Sequence, residues 1–146
     1  MIRFFKAEDR DFFLSTADEF YHTDAVEKPL PTEKLEADFD EIMRSDVYLE
    51  GFIMEYGGEN AGYCITAKTF HTEAGGLSVW IEDIYIKKEY RGKGLGTELF
   101  DFLHKHYGGR VKRFRLEAEP ENEIAVRLYE KQGFRVLPYM QMIKDF

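Results

Sequence analysis

The sequence is poor in the residues that staple or anchor a chain. It has one cysteine, Cys64, set in an apolar stretch, so no internal disulfide is available and no cysteine-based metal spacing exists. Cys64 reads as core packing. No apolar run approaches the length that spans a bilayer, and charge arrives at Arg3 and Lys6, which argues against a secretory leader and sets the expectation of a cytoplasmic protein without a membrane partner. There is one tryptophan and four prolines, no internal repeat and no low-complexity tract. Basic residues are outnumbered, 20 Lys/Arg against 28 Asp/Glu, and no basic, aromatic-interleaved stripe is present, which disfavours nucleic acid. The four histidines form no metal-ligand constellation, so no metal is expected.

What the chain does have is material for one core. Its 146 residues are 44% hydrophobic, with 13 Phe and 9 Tyr, enough for a single domain over 1–146 and too short for two. The net charge of -8 is uneven: residues 1–86 hold 19 acids against 7 Lys/Arg, whereas residues 87–146 hold 9 against 13. That asymmetry suits a cation-attracting first half and an anion-meeting second half, and equally two inert solvated surfaces.

Apolar spacing gives the elements. A short strand at 2–5 precedes a helix over 8–21, a break at Pro29 and Pro31, and a second helix over 32–44 with Leu35, Phe39, Ile42 and Met43 on one stripe. Strands at 47–56 and 59–68 flank Gly57-Gly58, a hairpin signal. The run 77–87 is apolar except for Glu82 and Asp83 and suits a strand buried on both faces. A helix over 97–107 stopped by Gly108-Gly109, a strand over 111–118, a helix over 122–132 stopped by Gly133, and strands at 134–136 and 139–143 around Pro138 complete the order β-α-α-β-β-β-α-β-α-β-β.

Between a strand and a helix lies Arg91-Gly92-Lys93-Gly94-Leu95-Gly96-Thr97. Glycines let backbone N–H groups converge on one anion, the helix N-terminus adds unpaired N–H groups, and Arg91 and Lys93 add full charges, so the segment has the chemistry of a phosphate cradle. It lacks the Gly-Lys-Ser/Thr of a nucleotide-triphosphate loop, and its Gly-x-Gly-x-Gly spacing is not the dinucleotide fingerprint. A merely structural turn remains an alternative.

The run Ile84-Tyr85-Ile86-Lys87-Lys88-Glu89-Tyr90-Arg91-Gly92-Lys93-Gly94-Leu95-Gly96 resembles the central motif of the GNAT N-acetyltransferase family, Arg/Gln-x-x-Gly-x-Gly/Ala after a strand, matched by Arg91, Gly94 and Gly96. Asn122-Glu123-Ile124-Ala125-Val126-Arg127-Leu128-Tyr129-Glu130-Lys131-Gln132-Gly133-Phe134 resembles the family's following motif. The resemblance spans the chain, although the first 45 residues match only in layout. Ile81-Glu82-Asp83-Ile84-Tyr85-Ile86 and the Tyr129 helix look nearest to the polyamine and small histone-type branches.

The resemblance implies an α/β fold with a mixed, mostly antiparallel six- to seven-stranded sheet flanked by about four helices. It implies acetyl-CoA as cofactor, transfer of its acetyl group by direct attack of a primary amine in a ternary complex, and dimerisation, for which the chain from Phe134 onward offers an edge. It further implies that Ile84, Tyr85 and Ile86 pair with the pantetheine arm, that the Ile86 N–H meets the oxyanion, that Arg91, Gly92, Lys93, Gly94, Leu95, Gly96 and Thr97 hold the pyrophosphate, and that Tyr129 protonates the departing sulfur. Asn122 would bind pantetheine or cap its helix.

Glu82 is the first candidate base. Strand parity puts it on the face of Trp80, Ile84 and Ile86 and puts Asp83 on the opposite face with Ile81 and Tyr85, unless a bulge changes that parity. The pair could instead fix a neighbouring basic side chain. Tyr21, Asp24 and Asp83 are candidate acceptor-binding residues, with Glu19, Glu27 and Glu33 nearby to gather a cation. A small cationic amine such as a polyamine is the expected acceptor. A protein or peptide amine, and a non-catalytic acyl-CoA-binding regulatory module, are the alternatives.

Overall fold

The computed structural model describes every residue except Ala25 and Glu27; the expectation placed on Glu27 lies outside the described residues. Strand β1 (Ile2–Phe4) leads through a 3-10 turn into α1 (Arg10–Tyr21), followed by α2 (Thr32–Arg44), β2 (Leu49–Tyr56), β3 (Glu59–His71), β4 (Gly76–Ile86), α3 (Leu95–Tyr107), β5 (Val111–Leu116) and α4 (Glu123–Lys131). One five-stranded sheet runs in the order β1-β2-β3-β4-β5, antiparallel throughout except for the parallel pair β4–β5. The mixed, mostly antiparallel sheet with four helices is the architecture the sequence implies.

Helices cover both faces. Phe13 and Ala17 of α1 and Leu35 and Phe39 of α2 bury one face with Ile53, Tyr63, Ile65 and Tyr85. Leu99, Phe100, Leu103 and Tyr107 of α3 bury the other with Phe52, Met54, Val79 and Ile81, and Leu128 and Tyr129 of α4 pack against that cluster. The long connection from β3 to β4 is a hairpin, and Gly57 and Gly58, at φ 62° and 87°, close the β2–β3 turn in a conformation that only glycine adopts at no steric cost. Among the described residues no helix is long and apolar enough to cross a membrane.

The sheet has five strands rather than six or seven. Residues 134–136 and 139–143 form no strand, and Val136, Tyr139, Met140, Met142 and Ile143 are exposed. Pro138 lacks the N–H that a ladder needs and divides the segment into pieces too short to hold a register; Phe134 docks, 5.6 Å from the Phe100 ring, and Leu137 is half-buried. Beyond β5 the sheet has no further strand among the described residues.

Buried Asp9 ties the chain's first turn to the sheet. It accepts hydrogen bonds from Arg3 Nη1 and Nη2 at 2.7 and 2.9 Å and from the Lys6 amide at 2.7 Å, and Asn60 adds a longer one. Burial opposes ionisation of this carboxyl, yet the Arg3, Lys6 and Asn60 donors overcome it and hold it below the ordinary aspartate value. Arg3→Met should cost about 3 kcal/mol in urea unfolding, because it leaves the Asp9 charge buried without its cation. The wild-type advantage should be complete above about pH 4 and shrink as the pH falls through the lowered value of the folded state, where Asp9 takes up its proton.

Candidate functional site

Strand β4 breaks its own alternation. Ile65 pairs with Asp83 but the next residue, Thr66, pairs with Ile81, so Glu82 is an extra residue with no partner on β3. Val79 and Ile81 therefore share the α3 face with Ile84 and Ile86, while Asp83 and Tyr85 turn to the α1–α2 face. Simple strand parity, which put Ile81 with Asp83 and Tyr85, and Glu82 with Ile84 and Ile86, is corrected by that one inserted residue. The parallel ladder to β5 also ends at Ile81↔Leu116, so from Glu82 to Ile86 β4 has no strand on its β5 side. Ile84 and Ile86 therefore direct backbone groups to that side, where the Ile86 carbonyl accepts from Arg91 Nε, while Tyr85 pairs with Tyr63 of β3.

Asp83 is 6% exposed and accepts from Tyr21 Oη at 2.9 Å on one oxygen and from Tyr63 Oη at 3.1 Å on the other. Burial pushes its pKa up to about 6, against the pull of the two phenols and with a push from Asp38. Glu82 meets solvent at the bulge, yet the protein packed around it strips enough hydration, with Asp83, Glu117 and Asp38 repelling its charge, to raise its pKa to about 7. Asp38, half-buried on α2, is also pushed up by burial, partly relieved by Lys34. No cation pairs with Asp38, Glu82 or Asp83 within 4 Å among the described residues. Elsewhere the buried acids are paired: Asp9 with Arg3, and Glu50 with Lys68 at 3.4 Å and His106 at 3.0 Å.

The glycine turn follows β4. Gly92 and Gly94 have φ of 74° and 84°, open space surrounds the Cβ position of each, and α3 begins after Gly94 with no side-chain cap. The amides of Leu95, Gly96 and Thr97 thus have no intrahelical acceptor and point out of the helix start. Leu95 buries its side chain in the core, leaving only its backbone for a ligand. Arg91 Nε donates to the Ile86 carbonyl at 2.9 Å while its guanidinium lies over the Tyr85 ring, and Lys93 rests over Tyr56 and Tyr90. Uncapped amides, two positive-φ glycines and two cations suit a pyrophosphate.

Gly96 serves packing as well. A Cβ there would come 2.7 Å from Leu128 Cδ2, so the glycine lets α3 and α4 touch and sets Tyr129 beside Phe100 and Phe134, each with ring centroids 6.0 Å away. Burial pushes the Tyr129 phenol up to about 12, with a smaller push from Cys64. Asn122 caps α4, its side chain accepting from the Ala125 amide at 3.3 Å; that settles where its oxygen points here. Asp24 is exposed in the turn after α1. Tyr85 donates to Glu19 at 2.6 Å, and both line an open cavity of about 490 Å³ with Asp18, His22, Lys88 and Arg91; Asp24 is not among its lining residues.

The structure therefore brings Tyr21, Glu82 and Asp83 together and adds three residues that sequence patterns did not single out. Tyr63 joins through strand pairing with Tyr85, Asp38 through the packing of α2, and Glu117 through the turn beyond β5. Each signal is three-dimensional; a period along the chain carries none of it. Among the described residues no group of His, Cys, Asp and Glu could hold a metal ion.

Gly96→Val should lower stability by about 2 kcal/mol through overpacking at Leu128. Pairing it with Leu128→Ala should recover part of that loss in a double-mutant cycle read by thermal unfolding.

Residues 9–134 match the Acetyltransferase (GNAT) family model. The chain is similar to a probable spermine N(1)-acetyltransferase of Bacillus subtilis subsp. natto (strain BEST195), 37% identical over 59 residues, a stretch that spans 39% of each protein. A possible acetyltransferase from Clostridium difficile 630 superposes with a TM-score of 0.83 at 19% identity, over 100% of this chain and 97% of that one. A predicted acetyltransferase with acetyl-CoA from Clostridium acetobutylicum superposes with a TM-score of 0.80 at 18% identity, over 99% and 95% of the two chains. At those identities the two structures share the fold. With the family model matching most of its length, this chain belongs to the GNAT acetyltransferase family.

Proposed function

We propose that the protein transfers an acetyl group from acetyl-CoA to a primary amine of a small cationic acceptor, of which a polyamine is the leading example. The observation that carries the acceptor is the set of carboxyls Asp38, Glu82 and Asp83 gathered at the β4 bulge, with no cation within 4 Å of any of them among the described residues. Support for the cofactor comes from family membership and from the relative solved with acetyl-CoA; support for a polyamine comes from the relative described as a spermine N(1)-acetyltransferase. When bound, acetyl-CoA supplies the activated acetyl thioester.

The residues divide the remaining work. Amides of residues 92–97, with Arg91 and Lys93, hold the pyrophosphate, and the stretch Ile84, Tyr85 and Ile86, past the end of the β5 ladder, aligns the pantetheine as an added strand would. The Ile86 N–H is placed to stabilise a developing oxyanion, a donor worth about 3 kcal/mol when preorganised. Asp83 and Tyr21 orient the ammonium, and exposed Asp24 in the turn after α1 adds negative charge on its approach. Glu82 takes its proton directly or through water, being half ionised near neutral pH. Tyr129 keeps its proton on Oη across neutral pH and offers it to the departing sulfur.

A thiol-release assay with acetyl-CoA across polyamines, simple primary amines, amino acids and lysine peptides tests the reading. Turnover should favour spermidine-like cations. Tyr129→Phe and Glu82→Gln should each lower kcat by about 10²-fold or more. For the wild type, kcat/KM should rise with pH up to about 7 and then level as Glu82 completes its ionisation, and Glu82→Gln should flatten that limb. Tight acetyl-CoA binding without turnover of any amine would point instead to a binding module.

A further inference from the structure

We propose that Tyr21 and Tyr63 are positioning residues, their hydroxyls gripping one oxygen each of Asp83 and holding it as a fixed anionic anchor for the acceptor's ammonium, while Glu82 beside it remains free to accept the proton. The anchoring role rests on the acetyl-transfer reading above. The clamp itself rests on geometry.

Among the described residues three acids are similarly buried, and they differ in whether a cation stands beside them. Asp9 and Glu50 each have a cation beside them, Arg3 for one and Lys68 at 3.4 Å for the other, and Glu50 also accepts from the Tyr107 phenol at 2.7 Å. Asp83, at the same depth, is held by two neutral phenols. A lysine or arginine partner would cancel the field of the carboxylate and compete with an arriving cation. A phenol stabilises the anion by hydrogen bonding and leaves its charge uncancelled. A carboxylate offers about four lone-pair sites, so after one donation to each oxygen it can still receive an N–H on either side.

The two phenols come from different elements and are themselves held. Tyr63 of β3 is fully buried, and its ring stands edge-on to Phe13 of α1 at 5.1 Å and 90°. Tyr21 is the last residue of α1, half-buried, with Phe20 at 5.0 Å against its ring. The clamp thus joins the start of the α1–α2 connection to the bulge of β4. Because the bulge turns neighbouring residues to different surroundings, Asp83 reaches both phenols and Glu82 reaches neither. One carboxyl is fixed and the other is unencumbered.

The groups facing Asp83 are Tyr21 from α1, Asp38 from α2 with Lys34 beside it, Tyr63 and Cys64 from β3, and Glu82 from β4, with Glu117 beyond β5 facing Glu82. None of the acids relieves the charge on Asp83, so removing a phenol should raise the pH at which Asp83 gains its proton. Carbon-13 carboxyl NMR of the free protein, labelled at aspartate and assigned with Asp83→Asn, reads that midpoint without any substrate. Tyr21→Phe and Tyr63→Phe should each move it upward by about half a unit or more. The same variants should raise KM for spermidine about 5- to 10-fold and leave KM for acetyl-CoA unchanged.

An Asp83 midpoint unmoved in both variants overturns the clamp. A moved midpoint with an unchanged spermidine KM overturns the anchoring role and leaves Asp83 a structural carboxylate, as does a parallel rise of both KM values with lost thermal stability. If the wild type turns over no amine while the midpoint still moves, it is the acceptor reading and the anchor that fall, and the clamp that stands.

Discussion

One inserted residue governs the site. Were Glu82 held in the ladder, β4 would alternate cleanly, and from Ile81 on the α3 face it would turn Glu82 to the α1–α2 face and Asp83 to the α3 face. With it, the strand turns Asp83 to the α1–α2 face, keeps Ile84 and Ile86 on the α3 face, and coincides with the last rung of the parallel pairing to β5. A gap, a buried anion and a solvent-reached carboxyl therefore arise at one place.

The electrostatics follow from how each acid is compensated. Burying an ion is costly, and the protein meets that cost with a cation at Asp9, with a cation and a phenol at Glu50, and with phenols alone at Asp83. The glycine turn is the opposite case, where uncapped amides and free lysine and arginine charge face outward. A deficit of positive charge on one side of the bulge and a surplus on the other suit two reactants of opposite sign. The uneven distribution of charge along the chain is the one-dimensional trace of this arrangement.

Much of this was legible in the sequence. The hairpin glycines, the stripe of α2, the turn at residues 91–97 and the helix bearing Tyr129 are local signals, set by φ, by periodicity and by helix stops, and they appear where the residues place them. The bulge was legible only as a conflict between two adjacent acids and an otherwise apolar strand; nothing local says which residue leaves the ladder. Tyr63 and Asp38 were invisible because their partners are 20 residues or more away in the chain and meet only when β3 and α2 pack. The two strands expected after Gly133 failed for a local reason, Pro138, which simple alternation of apolar residues outweighed in the reading. Gly96 was assigned to the phosphate on motif grounds, and its closeness to Leu128 adds a second constraint: a Cβ there would force the end of the Leu128 side chain to move.

The near-neutral carboxyls have a calorimetric consequence. Glu82 and Asp83 titrate at about 7 and about 6, so at neutral pH this cleft carries a fraction of a proton that an arriving ammonium makes unfavourable. Cation binding then expels protons into the medium, and the heat of association includes the ionisation heat of whichever buffer absorbs them. On the proposed reading, acceptor affinity would depend on proton activity even before chemistry begins.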